Sequence, residues 1–251
     1  MIVERCYFPL PKYFFCDGPS YVITSSSFGG SLLTPETLPE LLQNGDEKVI
    51  NQLLEEGICL PLFFPGDCAL DGAIFIVGDL TPIEEQEWIG RIQSKLKIPC
   101  GKLLVVCGGG SPEDFEGVIA GNGINGYTDY FCVLDVPKGD YLVEVLAYVS
   151  SMSVDFYFEE NEPLTEWFYR TRPGEILPQW LETFQSKGYI GELSDQLLTY
   201  IVHLTPLIDE PSLPTLISEI GWCGEFEFRR PEICPREFLG AIMLNKLGNL
   251  R

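Results

Sequence analysis

A glycine-rich stretch from Cys107 to Gly126 follows the apolar run KLLVV and raises the question of nucleotide binding. A Walker-type loop needs a lysine followed by serine or threonine, and a dinucleotide fingerprint needs a third glycine at a fixed spacing. The first pattern is missing here, and Glu113 occupies the place of that third glycine. Asp114 and Glu116 would also repel a phosphate. We therefore predict a long connection between two antiparallel strands and no cofactor, with Asp114 and Glu116 as candidate partner contacts.

His203 is the only histidine in the chain, which excludes metal sites built from several histidines. It lies in the alternating run TYIVHLTPL, which predicts a strand. The simpler interpretation is a strand histidine whose ring nitrogens are hydrogen-bonded within the fold or face solvent. A catalytic role requires that His203 lie in a pocket within hydrogen-bond reach of a cysteine, aspartate or glutamate.

Asp67 and Asp71 lie in the turn-forming segment GDCALDG. Carboxylates on a turn are ligands that calcium prefers, but the spacing of an EF-hand is absent. Aspartate is also a common turn former, because its side chain bonds to nearby backbone groups. The pair is a weak candidate for a metal site.

The nine cysteines form no C-x-x-C pair and lie near no histidine cluster. Neither a zinc site nor an evident disulfide framework follows from their spacing. Several lie in apolar runs that predict strands, such as LLVVC and YFCVL, where a thiol packs as a small hydrophobe. We therefore predict that the cysteines are mainly reduced core residues.

The charge of the chain is strongly negative, since 16 Lys and Arg residues face 37 Asp and Glu residues, a net charge of -21. Such a field repels nucleic acids and anionic membranes, favours solubility, and suits a basic protein partner or a divalent cation. No apolar run reaches the ~18 residues of a membrane span, and the first residues lack the features of a secretory signal. We predict a cytoplasmic protein.

Helices and short strands alternate along the chain. Three helices are predicted, in TPETLPELL (34–42), DEKVINQLLEEG (46–57) and TPIEEQEWIGRIQSKL (81–96). The last begins with a capping box of Thr81 and Glu84. Strands are predicted in two pairs, ICLPLFF (58–64) with AIFIVGDL (73–80), and YFCVLDV (130–136) with DYLVEVLAYV (140–149) as a hairpin, and in KLLVVC (102–107).

Two pieces of the first half have echoes in the second half. IVGDLTPI (76–83) is echoed by IVHLTPLI (201–208), and CGKLLV (100–105) by CGEFEF (223–228). The same order at about half the chain length suggests an internal duplication. We predict a mainly β protein with short helices (α+β), built as two tandem, related β-sandwich-like domains, residues 1–150 with an N-terminal helical segment and residues 151–251.

The succession FIVGDLTP (75–82), PCGKLLVV (99–106) and FCVLDVPKGDYLVEVLAYV (131–149) resembles a β-rich domain of bacterial proteins of unknown function. The resemblance covers roughly residues 74–149, with a degenerate second copy that lacks the glycine of the hairpin. It implies a β-rich fold. Because that family has no assigned activity, no catalytic residue is transferred.

The composition and motifs favour a non-enzymatic binding protein, an acidic antagonist or immunity-like protein directed at a basic partner. Arg229 and Arg230 form a local basic spot, and they and Trp222 are candidate partner-binding residues. One alternative is an enzyme for small molecules or hydrolysis that uses His203 in a cleft between the domains. Another is a calcium-dependent module.

Overall fold

The computed structural model describes residues 4–11, 14, 16, 18–27, 33–34, 37–38, 41, 47–70, 72–108, 131–182, 198–215 and 226–236. Its strands are β1 (Cys6–Pro9), β2 (Ser20–Ser25), β3 (Cys59–Phe63), β4 (Ile74–Val77), β5 (Gly90–Ile98), β6 (Lys102–Cys107), β7 (Phe131–Asp135), β8 (Gly139–Ala147), β9 (Tyr200–Pro206) and β10 (Glu227–Phe228). Its helices are α1 (Glu47–Glu55), α2 (Pro82–Glu87), α3 (Met152–Glu160) and α4 (Leu164–Thr171).

The strands form two sheets that share one core. The six-stranded sheet has the order β1-β4-β9-β8-β5-β10, and the four-stranded sheet has the order β3-β2-β6-β7. All neighbours are antiparallel except β4 and β9. Side chains of both sheets, such as Ile23 on β2 and Val143 on β8, belong to the same buried cluster. The predicted α+β class, mainly β with short helices, is confirmed.

The two sheets are joined by an antiparallel ribbon that bends from one layer into the other. β5 pairs with β8 in the larger sheet, and their continuations β6 and β7 pair in the smaller one. The turns 99–101 and 136–138 therefore cross side by side. There the Val136 N–H donates to the Gly101 carbonyl at 3.0 Å. Gly101 has a φ of +77°, and a Cβ on it would lie 3.0 Å from the Val136 oxygen.

This bend corrects two predicted strand pairs. The runs 58–64 and 73–80 form strands, but β3 lies in the smaller sheet and β4 in the larger one. Likewise β7 and β8 are divided between the sheets, so the predicted hairpin is wrong. A short turn between two apolar runs is compatible with a hairpin and with a crossing between layers, since both bury the same side chains.

The predicted helix over 81–96 is correct only in its first part. α2 ends at Glu87, Trp88 is extended with φ -66° and ψ 145°, and Gly90–Ile98 is a strand. Along β5 every second residue is buried, from Gly90 to Ile98. Ile92 and Leu96 suit both a helical stripe and this alternation, and pairing with β8 decides for the strand.

The helices are short, and three of them bury apolar side chains in the main core. α1, predicted from the sequence, buries Ile50, Leu53 and Leu54 and contacts β3 and β5. α3 and α4 contribute Phe158 and Trp167, whose rings stack with centroids 5.4 Å apart. Within the described ranges, no helix has the length and apolarity needed to cross a bilayer.

The second half of the chain contributes β9 and β10 to the larger sheet, among the residues described. The strand predicted in TYIVHLTPL (199–207) is confirmed as β9, which lies between β4 and β8. The echoed segments around Ile76 and Ile201 thus lie on adjacent parallel strands. The duplication is not confirmed. A boundary at residue 150 would separate β9 from both of its partners, and this boundary stays a prediction.

Cysteines occur both as thiols and in a disulfide. Cys59, Cys132 and Cys234 are buried thiols, as predicted for core residues, and burial raises the pKa of Cys132 to about 12. Cys16 and Cys107, 91 residues apart, form a disulfide with a Cα–Cα distance of 5.5 Å. The expectation of reduced thiols is wrong for this pair, because only the folded sheet brings the two together. Disulfides are commoner in oxidising compartments, and the cytoplasmic location stays a prediction.

We predict that Gly101→Ala destabilises the protein more than Gly174→Ala. Both glycines have a φ near +80°, but a Cβ on Gly174 would meet nothing within 4 Å. The left-handed backbone alone costs about 1–2 kcal/mol for alanine, and Gly101→Ala adds a clash with the second ribbon turn. Urea unfolding of both variants measures the difference. Equal losses would contradict a close approach at the bend.

Candidate functional site

α2 is a short surface helix that begins on the capping box predicted from the sequence. The Thr81 hydroxyl accepts from the Glu84 N–H at 3.3 Å, and Glu84 Oε2 accepts from the Thr81 N–H at 2.7 Å. Pro82 occupies the first turn, where its missing N–H removes no helical bond. The start of α2 is therefore fixed by local sequence.

The Glu84 carboxylate anchors α2 to the larger sheet. Its side chain is 1% exposed and accepts two bonds from Arg5, at 2.7 and 2.8 Å. The Tyr7 hydroxyl lies 3.1 Å from Oε1, and the Tyr148 hydroxyl donates to the Glu84 carbonyl at 2.7 Å. Removing one partner of such a pair leaves a buried charge and costs about 3–5 kcal/mol.

The other end of α2 is held by Arg229, a residue singled out from the sequence as a partner contact. Its guanidinium lies 3.3 Å from the centroid of the Trp88 ring. It also donates to the Trp88 carbonyl at 3.1 Å and to the Glu85 carbonyl. A cation at the end of a helix donates to its last carbonyls, which lack partners within the helix. It also interacts favourably with the negative end of the helix dipole. Arg229 thus positions α2, and its role in partner binding stays a prediction.

The outer side of this anchored helix combines an apolar side chain with carboxylates. Ile83 is 50% exposed, Glu85 is exposed, and Asp79 is exposed just before the helix. Glu87 is half-buried, and burial raises its pKa to about 7. We call Asp79, Ile83, Glu85 and Glu87 the α2 surface. An isoleucine and carboxylates on one surface offer an apolar contact and partners for basic side chains.

The wild-type protein should lose stability between acidic and neutral pH as the Glu87 carboxyl ionises. We predict that the Glu87→Gln variant does not show this loss. The unfolded carboxyl titrates near 4.5 and the folded one near 7, so its contribution is full below 4.5 and is lost as the pH rises through 7. Glutamine has no such loss. The melting temperature of the variant, minus that of the wild type, should be higher at about pH 8 than at about pH 5.5.

Glu85→Gln is the matched control, because it removes a charge from the exposed side of the same helix. Its melting temperature relative to the wild type should change less between the two pH values. A Glu87→Gln difference that does not vary with pH would contradict the burial of this carboxyl.

His203 is buried within the larger sheet, where its imidazole is engaged at both nitrogens. Nδ1 lies 3.0 Å from Glu144 Oε2, and Nε2 lies 2.7 Å from the Gly78 carbonyl oxygen. Glu144 also accepts from Gln93 at 2.7 Å and from Arg91 at 3.2 Å. Burial acts to raise the pKa of Glu144, but these hydrogen bonds and charges outweigh it and lower the pKa. A carboxylate is within reach of His203, and its catalytic role stays a prediction.

The remaining predicted residues are dispersed. Arg230 pairs with Glu162 and lies 5.5 Å from the centroids of two aromatic rings. Asp67 is exposed in its turn, and no group of three or more His, Cys, Asp or Glu side chains within the described part of the chain could hold a metal ion. Outside the described residues lie Asp71, Asp114, Glu116 and Trp222.

The glycine-rich stretch does connect antiparallel strands, since β6 ends at Cys107 and pairs with β7, which begins at Phe131. The predicted connection between two antiparallel strands is thus confirmed. Residues 109–130 lie outside the described residues.

Cys100 is a partly exposed thiol with a lowered pKa, which the sequence did not single out. It lies in the turn between β5 and β6, where its Sγ is 3.1 Å from the Ser25 hydroxyl and 3.5 Å from that of Ser26. Partial burial acts to raise the pKa of this thiol, but the hydroxyls outweigh it and lower the pKa to about 6. The serines precede Cys100 by some 75 residues, so spacing gave no signal.

We predict that Cys100 is alkylated by iodoacetamide with a pH midpoint near 6, the pKa of its thiol. Cys132 and Cys234, whose pKa burial raises to about 12, should resist modification in the native protein. Ser25→Ala removes a donor to the thiolate and should raise the midpoint. Peptide mass spectrometry after short reaction times measures all three, and a midpoint near the ordinary value of about 8.5 would refute the assignment.

The fold and the α2 surface define a class, an acidic α+β protein of two packed sheets with an anchored surface helix. No protein-family model and no curated protein matches the chain. Among solved structures, "Crocagin biosynthetic gene J" aligns with a TM-score of 0.39 and 15% identity, covering 82% of this chain and 98% of that one. ComJ of Bacillus subtilis, an inhibitor of the DNA degrading activity of NucA, aligns with a TM-score of 0.34 and 6% identity, covering 82% and 96%. Likenesses at this level assign neither a family nor an activity.

Proposed function

We propose that this protein acts by binding and antagonising a basic protein. The observation that carries the proposal is that its cationic side chains are paired with acids of the same chain. Most of the described Lys and Arg side chains make ion pairs within the chain: Arg5–Glu84, Arg91–Glu144, Lys95–Glu210, Lys102–Asp135, Arg170–Glu162, Arg172–Glu175, Arg230–Glu162 and Arg236–Glu175. The net charge of -21 therefore resides in the acids that remain.

Among the described residues, many of the remaining acids are exposed. Exposed carboxylates of the described residues include Glu47, Glu55, Asp67, Asp79, Glu85, Asp140, Glu166 and Asp209. Such a surface attracts a basic protein over long distances and speeds its encounter, and the attraction weakens as salt screens it. Charge alone selects any basic protein. A specific antagonist also needs a defined contact that excludes water.

The α2 surface supplies the contact that we propose. Ile83 offers an apolar anchor, and Glu85 and Glu87 offer partners for lysine or arginine. Glu87 is half-buried, and burial raises its pKa because its carboxylate loses contact with water. In the free protein this loss is poorly compensated. A cation brought by the partner would supply that compensation. Because Glu84 and Arg229 already fix the helix, little backbone entropy is lost on binding.

We predict that Ile83→Lys strongly weakens partner binding and that Ile208→Lys does not. The two changes are matched, since both isoleucines are exposed, at 50% and 88%. Loss of a central anchor costs about 2 kcal/mol or more, which is about a thirtyfold loss of affinity. The partner is first captured from a cell lysate at low and moderate salt, and its affinity is then measured by calorimetry with both purified proteins.

The captured protein should be basic, and its affinity should fall as the salt concentration rises. Capture of acidic proteins only, or affinity that is insensitive to salt, would refute the proposed antagonism. Equal losses for the two lysine variants would place the contact elsewhere than at α2.

A further inference from the structure

The disulfide of Cys16 and Cys107 lies near a third cysteine, which contacts the backbone of Cys16. Cys16 precedes β2, Cys107 ends β6, and both are fully buried. Cys68 lies in the connection between β3 and β4 and is partly exposed. Its backbone N–H and its thiol both donate to the Cys16 carbonyl, each at 3.1 Å. Three cysteines from distant parts of the sequence therefore meet at one point.

The backbone bond brings Cys68 close to Cys16. In an antiparallel ladder, paired residues that exchange two such bonds have Cα atoms about 5.5 Å apart, and disulfides bridge Cα atoms about 4.4–6.8 Å apart. Cys16 and Cys68 lie outside the strands and share one backbone N–H to carbonyl bond. The Cα atoms of Cys16 and Cys107 are 5.5 Å apart. Cys16 thus has two cysteine neighbours, one joined to it covalently and one by hydrogen bonds.

The conformation of Cys68 is also unusual. Its φ is +58°, the one positive φ of a non-glycine residue among those described. A side chain in this region is strained by about 1–3 kcal/mol and persists only where its surroundings hold it. The two bonds to the Cys16 carbonyl help to hold it here, so the turn keeps the thiol next to Cys16.

We propose that Cys68 and Cys107 are alternative disulfide partners of Cys16, exchanged within the folded protein. The Cys68 thiol loses its proton to solvent, and the thiolate attacks Cys16 Sγ. A bond forms between Cys16 and Cys68 while the bond between Cys16 and Cys107 breaks, and Cys107 leaves as a thiolate that takes up a proton. The exchange consumes no oxidant or reductant.

The exchange does not require β6 to leave its sheet. Cys107 stays opposite Tyr21 in the ladder, and the Gly108 N–H donates to the Ser20 carbonyl at 2.9 Å. The attacking thiol already lies inside the cluster, so the buried disulfide need not open to solvent. The exchange moves the disulfide bond of Cys16 from Cys107, at the end of β6, to Cys68, in the connection between β3 and β4.

The released Cys107 directly precedes Gly108 and the glycine-rich stretch. The exchange thus determines whether Cys107, at the start of this stretch, is held by a disulfide bond. This inference is independent of the proposed binding of a basic protein, and either can fail without the other.

Peptide mapping under non-reducing conditions tests the proposal. The Cys107→Ser variant is incubated with oxidised glutathione and digested, and its disulfides are identified by mass spectrometry. We expect a linked peptide pair that contains Cys16 and Cys68. If the variant keeps its native circular dichroism spectrum and both residues stay reduced or carry only glutathione, the proposal is wrong.

A second experiment avoids dependence on the folding of that variant. Wild-type protein is held at mildly alkaline pH without an alkylating agent, and at timed intervals samples are acidified, denatured and treated with N-ethylmaleimide, which labels whichever of Cys68 and Cys107 is then a thiol. Cys107 should become alkylated in step with the appearance of the pair linking Cys16 and Cys68. The Cys68→Ser variant is the matched control, and in it Cys107 should stay unmodified. Equal alkylation of Cys107 in both proteins, or none in either, would overturn the exchange.

Discussion

One buried charge holds the proposed contact surface in place. The Glu84 carboxylate is almost fully removed from water, and such a charge is tolerated only when paired and hydrogen-bonded. Arg5 before β1, Tyr7 on β1 and the N–H of Thr81 supply these bonds. The same carboxylate closes the capping box. A single residue therefore joins the local start of α2 to the edge of the larger sheet.

The platform beneath α2 depends on the bent ribbon. The pair β5 and β8 continues into the pair β6 and β7, which lies in the smaller sheet. The smaller sheet therefore covers one face of the larger sheet, and the other face is turned outward. The outward face carries a second apolar cluster that includes Ile76, Trp88 and Tyr148. α2 and the stacked Arg229 lie at this cluster. The helix is thus supported by side chains from residues far apart in sequence.

Long-range charge and local contact have different tasks in the proposed function. Ion pairs within the chain use most of the described cations, and the surplus acids attract a basic partner from many directions. The rigid helix selects among such partners through Ile83 and its neighbouring acids. The disulfide cluster lies in another part of the fold, at the end of β6. The proposed binding and the proposed disulfide exchange therefore involve separate residues.

Local patterns in the sequence were sufficient for features that depend on neighbouring residues. The capping box of Thr81 and Glu84, the helix α1 and most of the strands were predictable, since each follows from side chains within one or two turns or strands. The sequence could not show that Glu84 meets Arg5, that Ser25 meets Cys100, or which sheet each strand joins. Composition by itself determined the net negative charge, and the succession of helical and strand patterns indicated the α+β class. Only the tertiary structure decided where α2 ends, which cysteines meet and which arginines are already engaged, because these outcomes depend on contacts between residues dozens of positions apart.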